Sequence, residues 1–184
     1  MLFNPTKNFD FVPDLSVDGS VVETVEEMKL LGLILRNDLS WKPNTESMTK
    51  KAYKRLWILK RLKKQGASLD DLRDIYVKQV RSVLEFGVPV WSSGITQEDA
   101  TDIERVQKSF LHIALGNDYT DYKAALALSN LEMLSSRRTR LSKSFAVKTA
   151  KHPKHNHWFL KTKPGVNTRS AKVVFISPSV DYQD

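Results

Sequence analysis

The stretch KKAYKRLWILKRLKK, residues 50–64, brings together Lys50, Lys51, Lys54, Arg55, Lys60, Arg61, Lys63 and Lys64 without one acid among them. Cations at this density suit one kind of chemistry: they neutralise phosphate oxygens and release the counterions that a polyphosphate carries. A merely solvated helix face normally mixes both signs, because like charges three or four residues apart repel. Contacts of this sort would position a duplex without reading its sequence. Tyr53 and Trp57 interrupt the cations one helical turn apart. The expectation is that they pack against neighbouring strands, with stacking on bases or sugars as the alternative.

Other groups invite the same question. Arg137, Arg138, Arg140, Lys143 and Lys148 form a second basic cluster, for which nucleic-acid contact and a solvated helix face both stand open. Lys29 and Arg36 flank Gly32, within reach of a phosphate or simply at the surface. His152, His155 and His157 suggest zinc, yet no fourth ligand accompanies them and Pro153 interrupts the segment, so no metal is expected. Asp70 and Asp71 follow Ser68, where carboxylates suit a helix start. Glu85, among apolar neighbours, needs a cation, and Arg81 one turn earlier is the natural one. No glycine-rich phosphate loop or nucleophile elbow is present, so neither a catalytic residue nor a cofactor is expected.

The elements that must hold these groups follow from the patterning. LSVDGSVVETV alternates around Asp18-Gly19 and reads as a hairpin, and LLGLIL, residues 30–35, reads as a buried strand in which Gly32 marks a bulge or close approach. The period then becomes helical. Met48, Ala52, Leu56, Leu59 and Leu62 make one apolar stripe on a helix capped by Ser40 or Asn44, with Pro43 in its first turn and Gly66 at its end. That leaves the basic residues the outer arc. Ser68-Leu69-Asp70-Asp71 opens a second helix, apolar at Leu72, Ile75, Tyr76, Val80, Val83 and Leu84 and ending near Gly87 and Pro89. Thr96-Gln97-Glu98-Asp99 opens a third, through Ile103, Val106, Phe110, Leu111 and Ile113 to Gly116. A short helix over 122–128 and a last one over 136–151 follow. In the last, Leu141, Phe145 and Val147 should face inward and the second basic cluster largely outward.

The chain has 184 residues, 41% of them hydrophobic, no cysteine and a formal charge of +8. That is material for a real core, with disulfides and thiolate metal sites excluded and an intracellular setting compatible. No apolar run spans a bilayer, so no membrane partner is expected, and the start lacks the pattern of a secretory signal. The charge is segregated. Before Lys29 the one base is Lys7, whereas from Leu131 to Ile176 the one acid is Glu132 among eleven bases. Segregation of this kind points to a polyanionic partner, nucleic acid first.

Several stretches, in order, resemble the carboxy-terminal part of non-LTR retrotransposon reverse transcriptases of the jockey-like kind. MKLLGLILRNDLSWKPN resembles the last palm strands and the leucine-x-tryptophan motif of that family, KKAYKRL its first thumb helix, RSVLEFGVPVW (81–91) the next, and IERVQKSFLHIALG (103–116) the one after. NTR, 167–169, resembles the family's basic tail, and SPSVDYQD departs from it. The resemblance implies an α+β fold: an end-of-palm antiparallel β element over 1–41, a helical thumb-like domain over 42–150, and a basic, flexible tail over 151–184. It also implies that Leu31, Gly32 and Leu33 form a glycine-centred primer-grip turn holding the primer's terminal sugar-phosphate. The family's paired catalytic aspartates, which hold two metal ions, would lie upstream of Met1. The expected role is therefore to grip an RNA–DNA or DNA duplex for a polymerase whose palm and fingers are carried elsewhere, without enzymatic activity of its own. The alternatives are an inert remnant of a decayed retroelement and a helical protein-interaction module.

Overall fold

A computed structural model describes residues 15–23 and 25–155. The fold is α+β, with two small antiparallel hairpins followed by a helical bundle. Strands β1 (Ser16–Val17) and β2 (Ser20–Val21) pair with Val17 opposite Ser20. Asp18 and Gly19, at φ 50° and 78°, supply the two left-handed residues that a tight hairpin turn requires. Val17 and Val21 are both exposed.

Residues 30–35 do not form the single buried strand that their composition suggests. Strands β3 (Glu27–Leu30) and β4 (Leu33–Arg36) pair with Leu30 opposite Leu33, and Leu31-Gly32 make the turn at φ 47° and 89°. The reversal sends Leu33 against the core and leaves Leu31 89% exposed. Gly32 is required twice over. Its φ is left-handed, and a Cβ there would lie 3.1 Å from the Phe86 ring.

Helix α1 (Lys42–Lys64) starts after Trp41 with Pro43 in its first turn and no side-chain cap. Asn44 does not cap it. Its side chain is buried, and Oδ1 accepts the Ile34 N–H at 3.1 Å, stitching β4 to the helix. Met48, Ala52, Leu56 and Leu59 are buried as their spacing predicts, and Gly66 ends the turn at φ 90°.

Ser68 caps α2 (Leu69–Ile75) by accepting the Asp71 N–H, and Asp70 pairs with Arg73. The helix continues through a π-helical stretch, Tyr76–Arg81, into α3 (Ser82–Leu84). Leu72, Tyr76, Val80 and Leu84, each four residues on, are all buried. A regular α-helix overshoots by roughly 40° at every such step. The wider π turn absorbs that drift and keeps the four on one face. The helix ends at Leu84, close to Gly87 as expected, and Gly87, left-handed at φ 66°, then starts the separate short helix α4 (Val88–Trp91) with Pro89 in its first turn. Trp91 is fully buried and donates its indole N–H to the Phe86 carbonyl at 2.7 Å.

Helix α5 (Gln97–Leu115) begins with a complete Thr96/Asp99 capping box. It packs across α1 and stacks Phe110 on Tyr76, with ring centroids 4.1 Å apart. Helix α6 (Tyr122–Leu128), capped by Asp121, and α7 (Leu134–Lys151) close the bundle over α5. A polar network threads this junction. Tyr76 donates to Gln107 Oε1 at 2.9 Å, and Gln107 Nε2 donates to Tyr122 Oη and the Glu132 carbonyl, both at 3.0 Å. Glu104 accepts the Tyr122 hydroxyl and the backbone N–H groups of Leu134 and Ser135, thereby capping α7.

On α7 the inward face is Leu134, Arg138 and Leu141. Phe145 and Val147 are exposed instead of inward, because α7 packs through α4 and α5 and no element among the described residues covers its distal half.

Candidate nucleic-acid interface

Starting from α1, the buried stripe fixes what the opposite face presents. At about 100° per residue, Lys50, Lys54, Trp57, Arg61 and Lys64 fall along one line diametrically opposed to Ala52 and Leu59. The ridge runs roughly 21 Å along the helix axis at 1.5 Å per residue. All five side chains are exposed, as are Lys51, Lys60 and Lys63 on its flanks. Arg55 departs from the group. It is half-buried and donates to the Gln79 carbonyl in the π-helical stretch, where it ties α1 to the adjoining helix.

The two aromatics do not pack against the strands. Tyr53 is 44% and Trp57 59% exposed, since each lies one position past a buried residue and is rotated away from the core. The Arg61 guanidinium sits over the Trp57 ring, 4.7 Å from its centroid. A cation so placed leaves the indole one open face beside a row of ammonium groups.

Charge pairing separates this ridge from most arginines elsewhere on the surface, although the exposed Lys29, Lys123, Lys143 and Lys148 share its lack of carboxylate partners among the described residues. Arg73, Arg81, Arg105, Arg137 and Arg140 each hold a carboxylate partner. None of the cations of α1 has one among the described residues, and Glu46, near the start of the helix, is the one acid on it.

The second basic cluster is divided by the fold. Arg137 forks onto Glu85 with Nε to Oε1 and with Nη2 to Oε2 at 2.9 Å, and its Nη1 reaches Glu132 at 3.1 Å. Glu85 therefore takes its principal partner from α7, with Arg81 at 3.7 Å as the second. The hydrogen bonds to Glu85 hold the Arg137 guanidinium above its usual range. Burial, followed by the neighbouring Arg137 charge, pulls Arg81 below its own. Arg138 is buried. Arg140, Lys143 and Lys148 face outward and line a groove of about 780 Å³ along α7, with Arg140 also bound to Glu132.

At the hairpin, Lys29 is exposed and Arg36 lies 3.7 Å from Asp38, while the Leu31-Gly32 turn projects with Phe86 beneath it. Asp70 and Asp71 serve the start of α2. His152 and His155 stack with centroids 4.8 Å apart, whereas His157 and residues 156–184 of the basic tail lie outside the described residues. The same holds for residues 1–14 of the N-terminal β element. No helix among the described residues is long and apolar enough to cross a membrane.

Sequence reasoning missed Glu104 and Gln107, because it treated α5 as an apolar stripe and passed over polar residues on the same face. Compared with protein-family models, with curated proteins and with solved structures, the chain matches none.

Proposed function

We propose that the chain is a sequence-tolerant nucleic-acid-binding unit that lays the outer face of α1 along the phosphates of an RNA–DNA or DNA duplex. The observation that carries this reading is the row Lys50, Lys54, Arg61 and Lys64, exposed and without carboxylate partners, with Trp57 set into it. Like charges held this close destabilise the free protein, and a polyphosphate strand relieves them. Trp57 and Tyr53 add faces on which a sugar or an unpaired base can rest.

Within this reading the chain acts as the thumb and end of palm of a reverse-transcriptase-like polymerase, and the Leu31-Gly32 turn approaches the primer end. Two features support that placement: the two-residue turn at Gly32, and its seat on Phe86 in the turn between α3 and α4. In this reading the described residues offer phosphate contacts that keep the duplex in register, and the metals for extension come from the palm. The exposed Val17, Val21 and Leu31 favour a protein contact at the hairpins, as docking against a palm body would provide.

The test is competition at low salt. Labelled RNA–DNA hybrid should bind, unlabelled duplexes of unrelated sequence should displace it equally well, and polyglutamate of matched charge should not. No primer should be extended with nucleotides and magnesium. Equal displacement by polyglutamate would favour an acidic protein partner, and failure to bind duplex would remove the proposal.

A further inference from the structure

Arg138 faces the start of α5 across a cavity of about 230 Å³ and presents a problem of charge. It is 5% exposed, Nη1 has no hydrogen-bond partner, and no carboxylate among the described residues lies within ion-pair distance of it. The carboxylate whose field reaches it, Glu104, already accepts from Leu134, Ser135 and Tyr122. A guanidinium does not shed its proton, so the charge stays. A charge buried without a partner is among the most destabilising features that a core can hold.

Two hydroxyls around the same space are free to donate, those of Ser92 and Ser135, whereas the Thr139 hydroxyl already donates to the Ser135 carbonyl at 3.1 Å and Ile95 and Ala100 complete the wall. Thr96 and Gln97 bring the N-terminus of a helix of 19 residues. The capping box occupies the N–H groups of Thr96 and Asp99. Those of Gln97 and Glu98 are left without an intrahelical acceptor, at the positive end of the helix dipole. The Asp99 carboxylate is turned back onto Thr96, at 2.8 and 3.1 Å from its hydroxyl and N–H. At about 30 Å³ per water, the space holds a tetrahedral oxyanion with a few waters.

We propose that this cavity is a phosphate-binding site in which Arg138 is the charged ligand, with the Ser92 and Ser135 hydroxyls and the first turn of α5 as neutral donors. The phosphate is either inorganic or the terminal group of a polynucleotide. The site shares no residue with the α1 ridge and stands or falls separately from it.

Thermal unfolding of the full chain in phosphate and in chloride, at matched ionic strength and pH, tests the site. Inorganic phosphate should raise the melting temperature of the parent. Arg138→Met should be at least as stable as the parent in chloride, because an unpaired charge is gone, and should lose the phosphate-dependent part of the rise. Its affinity for phosphate, followed by phosphorus-31 line broadening, should fall about tenfold or more. An equal response of parent and variant would overturn the site. Should Arg138→Met fail to fold, Ser92→Ala with Ser135→Ala keeps the charge and should weaken phosphate several-fold, and unchanged affinity there would equally overturn it. Competition by a 5′-phosphorylated oligonucleotide but not its 5′-hydroxyl form would assign the phosphate to a strand end. Competition by neither would assign it to the free ion.

Discussion

Glu104 is where the account of the scaffold can be broken most cleanly. Its carboxylate is buried and takes three donors: the Leu134 N–H at 3.0 Å, the Ser135 N–H at 3.2 Å and the Tyr122 hydroxyl. In Glu104→Ala all three lose their acceptor. The Leu134 N–H is deepest and should cost the upper part of the ~1–3 kcal/mol for an unsatisfied buried group. The other two are partly buried, so water can reach them and each should cost the lower part of that range. The sum is about 4–6 kcal/mol, a large fraction of the ~5–15 kcal/mol of a typical domain. Glu104→Gln keeps one acceptor and should lose about 1–2 kcal/mol. Urea unfolding followed by circular dichroism measures both. A loss below about 1 kcal/mol in Glu104→Ala, with the denaturant slope unchanged, would show that α7 does not depend on this cap.

Two further perturbations follow from the fold. Leu31 pays for a left-handed conformation, φ 47°, with nothing packed on it, so Leu31→Asn should stabilise the hairpin by roughly 0.5–1 kcal/mol, and a fall in the urea midpoint would refute the turn. Burial pushes the pKa of the Tyr76 and Tyr122 phenols up, the latter aided by its bond to Glu104. Unfolded tyrosine ionises near ~10. Above that pH the folded state therefore retains protons that the unfolded state has released, and stability present below it is lost as pH rises, by up to ~1.4 kcal/mol per unit for each tyrosine. Urea midpoints should fall across that range, and tyrosinate absorbance showing all phenols titrating near ~10 in the folded protein would contradict the burial.

Much of the scaffold was legible because its signals are local. Ser68/Asp71 and Thr96/Asp99 cap their helices as spaced, the Asp18-Gly19 hairpin forms, and the α1 stripe is buried from Met48 to Leu59. What escaped depends on partners distant in sequence or on a single dihedral. Composition makes residues 30–35 a uniform apolar run, and nothing in a leucine announces that Leu31 will turn back. Arg137 and Arg138 look alike in the sequence; one meets Glu85, 52 positions away, and the other meets none. The outward exposure of Trp57 was derivable from the helical wheel, and the habit of burying large aromatics obscured it. The π turn hid behind a spacing of four that a regular helix would have smeared.

The central claim concerns the α1 ridge, and the salt dependence of duplex binding tests it most directly. Affinity for an RNA–DNA hybrid should fall linearly in log[salt], with a slope of about −0.9 for each phosphate neutralised. Replacing Lys50, Lys54, Arg61 and Lys64 by glutamine should flatten that slope by about 3–4, while the same replacement of Arg140, Lys143 and Lys148 on α7 should leave it nearly intact. A slope unchanged by the α1 substitutions, or one that follows the α7 residues instead, would contradict the account.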